Sequence, residues 1–204
     1  MDTLAIDCAT EACSVALFDG DGALIARDHR VLGRGHAEHL VPMIGALPGK
    51  GRAAQILVSR GPGSFTGVRI GIATARALAI AWRAQVLGYP TLALIATIAR
   101  DRRGAVPVSV AMGGGHGEWF TADFNADGLP EREPLSHPPA EAARVAMHDL
   151  VAGSQACALI ALRGRGEALE IGPDARHALA MPAALLTTDC MPIYGRPPDA
   201  RLPG

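Results

Sequence analysis

The stretch Gly61-Pro62-Gly63-Ser64-Phe65-Thr66-Gly67 constrains this chain more than any other. Pro62 removes a backbone donor and three glycines open conformations closed to other residues, so the buried strand Ile56-Leu57-Val58 cannot run on through it. Val68 to Trp82 follows, rich in alanine, and reads as a long helix with a narrow stripe of Val68, Ile72, Ala75 or Arg76, and Ala79. Gly71 and the repeated alanines would let a second helix approach closely. A glycine turn between strand and helix is also a good anion site, because free N–H groups converge where the helix carries positive partial charge, and Ser64 and Thr66 add hydroxyls. The loop has no Lys of the Walker type and no G-x-G-x-x-G spacing. A structural turn, a nucleotide or phosphate contact, and a partner contact all stay open for it.

Before this loop the pattern predicts strands at Leu4–Ile6, Ser14–Phe18 and Leu24–Arg30, the last two joined by the reversal Asp19-Gly20-Asp21-Gly22. A helix over His36–Leu47 follows, with His36, Leu40, Ile44 and Leu47 on one face and Pro42 either in the first turn of a shorter helix or kinking a longer one. After the long helix come a strand Val86–Tyr89, stopped by Pro90, and a helix Leu92–Ile98. The polar link Arg100–Gly104 is the expected boundary between a first lobe over 1–100 and a smaller lobe over 105–190, with a tail over 191–204. In the second lobe the pattern predicts strands Val106–Ala111 and Trp119–Phe124 on either side of Gly113–Gly117, irregular chain over Pro130–Pro139, a helix around Ala142–Val151, a strand near Ala156–Leu162 and a helix near Ala175–Leu179. No internal repeat is visible in the residues.

Composition narrows the functions. With 49% hydrophobic and 19% charged residues there is ample material for a core, built mainly from aliphatic side chains because aromatics make up 4%. A net charge of −1 argues against autonomous nucleic-acid binding, which draws on a basic field. The four cysteines show no zinc or thioredoxin spacing, and apolar or small neighbours make Cys8 and Cys157 expected buried thiols. No disulfide framework, no secretory leader and no membrane span are expected, which favours the cytoplasm. His36, Glu38 and His39 lack metal-site spacing, so no metal is expected and the histidines read as surface or capping residues.

Four segments together carry a resemblance. Gly61 to Ala79, GPGSFTGVRIGIATARALA, closely resembles the signature of the bacterial TsaB (YeaZ) family. Ala5–Ala16 is similar to its N-terminal signature and His36–Met43 to its first helix. Pro192-Ile193-Tyr194-Gly195-Arg196 resembles its Pro-x-Tyr-x-Arg ending. The likeness is strong over roughly the first hundred residues and patchy beyond. Met112 and the glycine run depart from an expected Asp-Ala-Arg-like stretch, so the second lobe maps poorly.

The resemblance implies a two-lobed α/β fold of the actin/hexokinase-like (ASKHA, ribonuclease H-like) class. It implies a non-catalytic scaffold and activator of TsaD in forming threonylcarbamoyladenosine at tRNA position 37. TsaE would join through the complex, a threonylcarbamoyl-adenylate synthase would supply the activated group, and tRNA would be met indirectly. Leu40, Met43 and Ile44 of the first helix, with Arg69, Ile72, Ala73, Arg76 and Ile80 of the second, are the interface residues it points to. Asp7 stands where phosphotransferases of this fold place an acid near phosphate, and joins Gly63, Ser64, Thr66 and Gly67 as a nucleotide-contact candidate. No cofactor is expected on the isolated chain, while ATP or ADP fits the assembled complex. The same exposed helix faces would permit a homodimer when the partner is missing. An ATP-dependent phosphotransferase of the same fold is the alternative, with a metalloprotease-like hydrolase behind it.

Overall fold

The chain builds two five-stranded sheets of the same design, seen in a computed structural model that describes residues 1–195. In the first sheet, β1 (Thr3–Asp7) pairs antiparallel with β2 (Ala12–Phe18), which pairs antiparallel with β3 (Leu24–Val31). On its other side β1 runs parallel to β4 (Gln55–Ser59), and β4 parallel to β5 (Gln85–Tyr89). The parallel pairs need crossovers, supplied by α1 (His36–Ala46) and α2 (Phe65–Trp82). Alternation along β1 sends Leu4 and Ile6 to the side of these helices and Ala5 to the opposite side, so both faces are buried.

The second sheet repeats the order. There β6 (Val108–Gly115), β7 (Glu118–Phe124) and β8 (Leu135–His137) form an antiparallel meander, and β6 runs parallel to β9 (Leu150–Ala152) and β9 to β10 (Glu167–Leu169). α4 (Pro139–Val145) and α5 (Ala156–Arg163) cover its outer face. Between the sheets lies α3 (Thr91–Arg103), whose residues 91–99 are all buried. A helix apolar all round needs cover on every side, and here residues of both sheets provide it. The duplication is one of topology, and nothing in the residues betrays it.

Several sequence expectations are corrected. Residues Arg100–Arg103 form the last turn of α3, and the chain leaves the helix at Gly104 with φ 86°. Ala156–Leu162 is helical, because an Ala- and Leu-rich run favours the helix once Gly164, in the left-handed region, ends it. The helix expected over Ala142–Val151 stops at Val145, and Leu150–Ala152 becomes the buried strand β9. Gly113–Gly115 belong to β6, pairing with Trp119 and Glu118 across a bulge. Residues Ala175–Ala180 adopt the tighter 3₁₀ form. Pro42 sits inside α1 on its exposed side, where the unpaired Glu38 carbonyl is open to water. Among the cysteines, Cys157 is exposed, whereas Cys8, Cys13 and Cys190 are buried. Arg196 and the rest of the expected tail fall outside the described residues.

Candidate functional site

The glycine loop is held against the end of β1. Ser64 N–H donates to the Ala9 carbonyl at 2.7 Å, and Ser64 Oγ accepts from Gly67 N–H at 3.2 Å, capping α2. A Cβ on Gly63 would lie 2.1 Å from the Ala9 carbonyl oxygen, and one on Gly67 would lie 2.0 Å from that of Cys8. These two glycines therefore admit the backbone of the β1–β2 turn. The helix starts three residues earlier than periodicity predicts because Ser64 supplies the cap.

Beside the loop a cleft of about 400 Å³ opens between the two sheets. Ala9, Thr10, Glu11 and Ser64 line one wall, and Met112, Gly113, Ser154 and Gln155 the other. Of the five nucleotide-contact candidates only Ser64 lines it; Asp7, Gly63, Thr66 and Gly67 do not. Its Oγ accepts the capping hydrogen bond and its N–H is given to Ala9, which leaves the hydroxyl proton free to donate into the cleft. Glu11, Ser154 and Gln155 were not singled out from sequence, since nothing local shows that two distant turns face each other.

Asp7 is sealed beneath this cleft. Its carboxylate accepts from Ala9 N–H at 3.0 Å and lies 3.2 Å from Tyr89 Oη, which also donates to the Ile6 carbonyl at 2.9 Å. Ser59 Oγ and Thr91 Oγ1 meet 2.6 Å apart in the same buried region. Burial pushes the Asp7 carboxyl up from 3.8 to about 6, against the opposing pull of the Ala9, Tyr89 and Ser59 donors and the charge of His29. Burial first, and then the Asp7 charge, hold the Tyr89 hydroxyl well above its ordinary value. A carboxylate held in this way braces the ends of β1 and β5.

The interface candidates separate by exposure. Leu40, Met43, Ile44 and Ile72 are at most 4% exposed and pack into the first lobe's own core, so as surface contacts they are corrected. Each faces the sheet because the apolar stripe of an amphipathic helix packs inward. Arg69, Ala73, Arg76 and Ile80 are exposed, and with Phe65 and Ala77 they form one stripe along α2. Ile80 is 82% exposed and Phe65 54%. Val41 of α1, the helix packed beside α2, adds a further exposed aliphatic.

The chain's last described residues return to this stripe. Arg76 donates to the Cys190 carbonyl at 3.2 Å. Tyr194 Oη accepts from Arg69 Nε at 3.2 Å and Nη2 at 2.9 Å, and its ring lies 5.4 Å from that of Phe65. The Arg69 guanidinium sits 3.6 Å from the Phe65 ring centroid. Both arginines thus anchor the C-terminal strap along one side of α2, a second role that helical periodicity does not reveal. His36 is buried, with Nε2 3.3 Å from the Ala12 carbonyl, and corrects the surface reading; His39 is exposed. Among the described residues no group of three or more His, Cys, Asp or Glu side chains is placed to hold a metal ion.

Residues 30–129 match the family described as TsaD, tRNA N6-adenosine threonylcarbamoyltransferase. The tRNA threonylcarbamoyladenosine biosynthesis protein TsaB of Escherichia coli K12 is 39% identical over 132 residues, covering 62% of this chain and 56% of that protein. Its counterpart in Haemophilus influenzae is 35% identical over 115 residues, covering 53% and 48%. The chain thus spans about half the length of the curated relatives it matches. Among solved structures, YeaZ from Pseudomonas aeruginosa superposes with a TM-score of 0.78 at 29% identity, over 95% of this chain and 99% of that one. EutJ, an ethanolamine utilization protein from Carboxydothermus hydrogenoformans, shares the fold at TM-score 0.50 and 11% identity, over 89% of each chain. The duplicated sheet order is that of the actin/hexokinase-like (ASKHA) class, and the chain is similar in sequence and in fold to proteins named TsaB or YeaZ.

Proposed function

We propose that this chain is an accessory subunit that docks onto TsaD and makes it competent for threonylcarbamoyl transfer to tRNA, without itself performing the transfer. The observation that carries the reading is the exposed stripe on α2, where Ala73 and Ala77 leave room for a partner helix and Phe65 and Ile80 supply apolar anchors. Aliphatic and aromatic anchors around small residues are what a close helix–helix contact needs, and Arg69 and Arg76 at the edge give it a polar rim. The names of the relatives, all tRNA threonylcarbamoyladenosine biosynthesis proteins, support the pathway. On this reading TsaE and tRNA meet the complex through TsaD, the synthase supplies the activated threonylcarbamoyl group, and the site of action is the cytoplasm. With no partner present the same stripe would pair two copies of the chain. Among the described residues no helix is long and apolar enough to cross a membrane.

The test is threonylcarbamoyl transfer to unmodified tRNA by purified synthase, TsaD and TsaE, all from one organism, with and without the chain. Product that depends on its addition supports the accessory role. Unchanged product, with folded chain that forms no complex with TsaD, refutes it. The cleft between the sheets favours one second reading, an ATP-dependent phosphotransferase. ATP turnover by the chain alone would support that reading over the first.

A further inference from the structure

The register of the β1–β2 pair carries an inference beyond partner binding. Asp7 lies opposite Ser14, and continuing that antiparallel register places Cys8 opposite Cys13. Their Sγ atoms are 3.6 Å apart and unbonded. Directly facing antiparallel residues have Cα atoms about 4.5 to 5.5 Å apart, inside the roughly 4.4–6.8 Å range that disulfides span. The two sulfurs can therefore reach bonding distance, about 2.05 Å, by side-chain rotation on an unmoved backbone. Gly71 of α2 lies over Cys8, so no side chain from that position stands between the helix and the pair.

We propose that Cys8 and Cys13 are a site of reversible oxidation, in which a small peroxide converts the thiol pair into a cross-strand disulfide that closes the β1–β2 turn. One of the two sulfurs, as its thiolate, attacks hydrogen peroxide, forming a sulfenic acid and releasing hydroxide. The other then displaces that hydroxyl as water and the hydroxide takes up the remaining thiol proton, so two thiols and one peroxide give one disulfide and two waters. A dithiol reductant restores both thiols by exchange. The hydrogen bond from Cys8 favours the Cys13 thiolate and pulls it below the ordinary thiol value, while the same contact, with burial, raises Cys8.

Oxidation would close a short loop holding Ala9 to Ala12. Ala9 accepts the Ser64 N–H at the start of α2, and Thr10 and Glu11 wall the inter-sheet cleft, so the bond would stiffen the turn that joins these parts. Both sulfurs belong to residues no more than 2% exposed, so reaction proceeds through local opening and is slow beside modification of the exposed Cys157.

The experiment uses the full chain carrying Cys157→Ser, treated with hydrogen peroxide, alkylated with iodoacetamide in denaturant, and cut after glutamate. Cleavage after Glu11 separates the two cysteines, so their peptides stay together only through a disulfide. The expected product is that linked pair, lighter by two hydrogens and split by dithiothreitol. Adding Cys13→Ser should abolish the link and leave Cys8 alkylated. Full alkylation of both cysteines after peroxide, a sulfinic acid in place of the link, or a link from either residue to Cys190 would overturn the proposal.

Discussion

Asp7→Asn should stabilise this protein, and more so at neutral than at acidic pH. The carboxyl is completely buried and its pKa rises from 3.8 to about 6, chiefly through burial. In that interval the folded chain holds a proton that the unfolded chain has released, so stability falls as pH rises from 3.8 to about 6 and is level above it. The shift corresponds to about 3 kcal/mol at neutral pH, at about 1.4 kcal/mol for each tenfold change. Asparagine removes the charge and keeps the shape. Its Oδ1 still accepts from Ala9 N–H, and its amide can donate to Tyr89 Oη while the tyrosine proton goes to the Ile6 carbonyl. Urea unfolding of both proteins at pH 5 and pH 7.5 reads the difference, with the advantage of the variant growing by about 1.5 kcal/mol between the two. An advantage that stays constant with pH, or a variant weaker than the parent at pH 7.5, would refute the argument that desolvation governs this site.

Three further outcomes follow from the geometry. On the proposed docking, Ile80→Glu, at a position 82% exposed, should weaken binding to TsaD by about 2 kcal/mol, roughly thirtyfold, and leave thermal unfolding unchanged; titration calorimetry with purified TsaD would show it. Gly67→Ala places a Cβ 2.0 Å from the Cys8 carbonyl oxygen, so the turn must move apart and the unfolding free energy should drop by about 2 kcal/mol or more. Gly104, with open space around it, is no guide to that cost because its φ of 86° carries its own strain. Tyr194→Ala removes the ring beside Phe65 and Arg69 and should cost about 1 kcal/mol in urea unfolding, whereas Tyr194→Phe keeps the ring and should cost less than half of that.

How far the sequence could be read differed between the halves of the chain. In the first lobe hydrophobic alternation, the glycine loop and the alanine-rich helix mark β1, β4 and α2 to within a few residues, because local geometry and burial make the same demand there. In the second lobe the residues mislead. Ala156–Leu162 is apolar without a clear period, so its pattern reads as a buried strand, while its alanines and leucines favour the helix that packs against β6 and β9. The site shows the same division. Ser64 and the glycines can be marked from chemistry, but that they are spent on helix capping and on contact with Cys8 and Ala9 is a fact of distant backbone meeting.

The sequence by itself determined that the chain is α/β, that a glycine turn leads into a long small-residue helix, and that its first lobe resembles TsaB (YeaZ) proteins. These rest on periodicity, on backbone freedom at glycine and proline, and on a run of residues long enough to be specific. The tertiary structure alone decided which face of α1 and α2 is free, because helical periodicity gives two opposite faces and only the position of the sheet says which one is covered. It also decided that Asp7 is closed off by Tyr89, residues separated by most of the first lobe, and that the C-terminal strap lies on Arg69 and Arg76. It alone revealed that the second sheet repeats the order of the first, since a topology is a pattern of pairings between remote segments and leaves no trace in residue identity when each copy packs its own side chains.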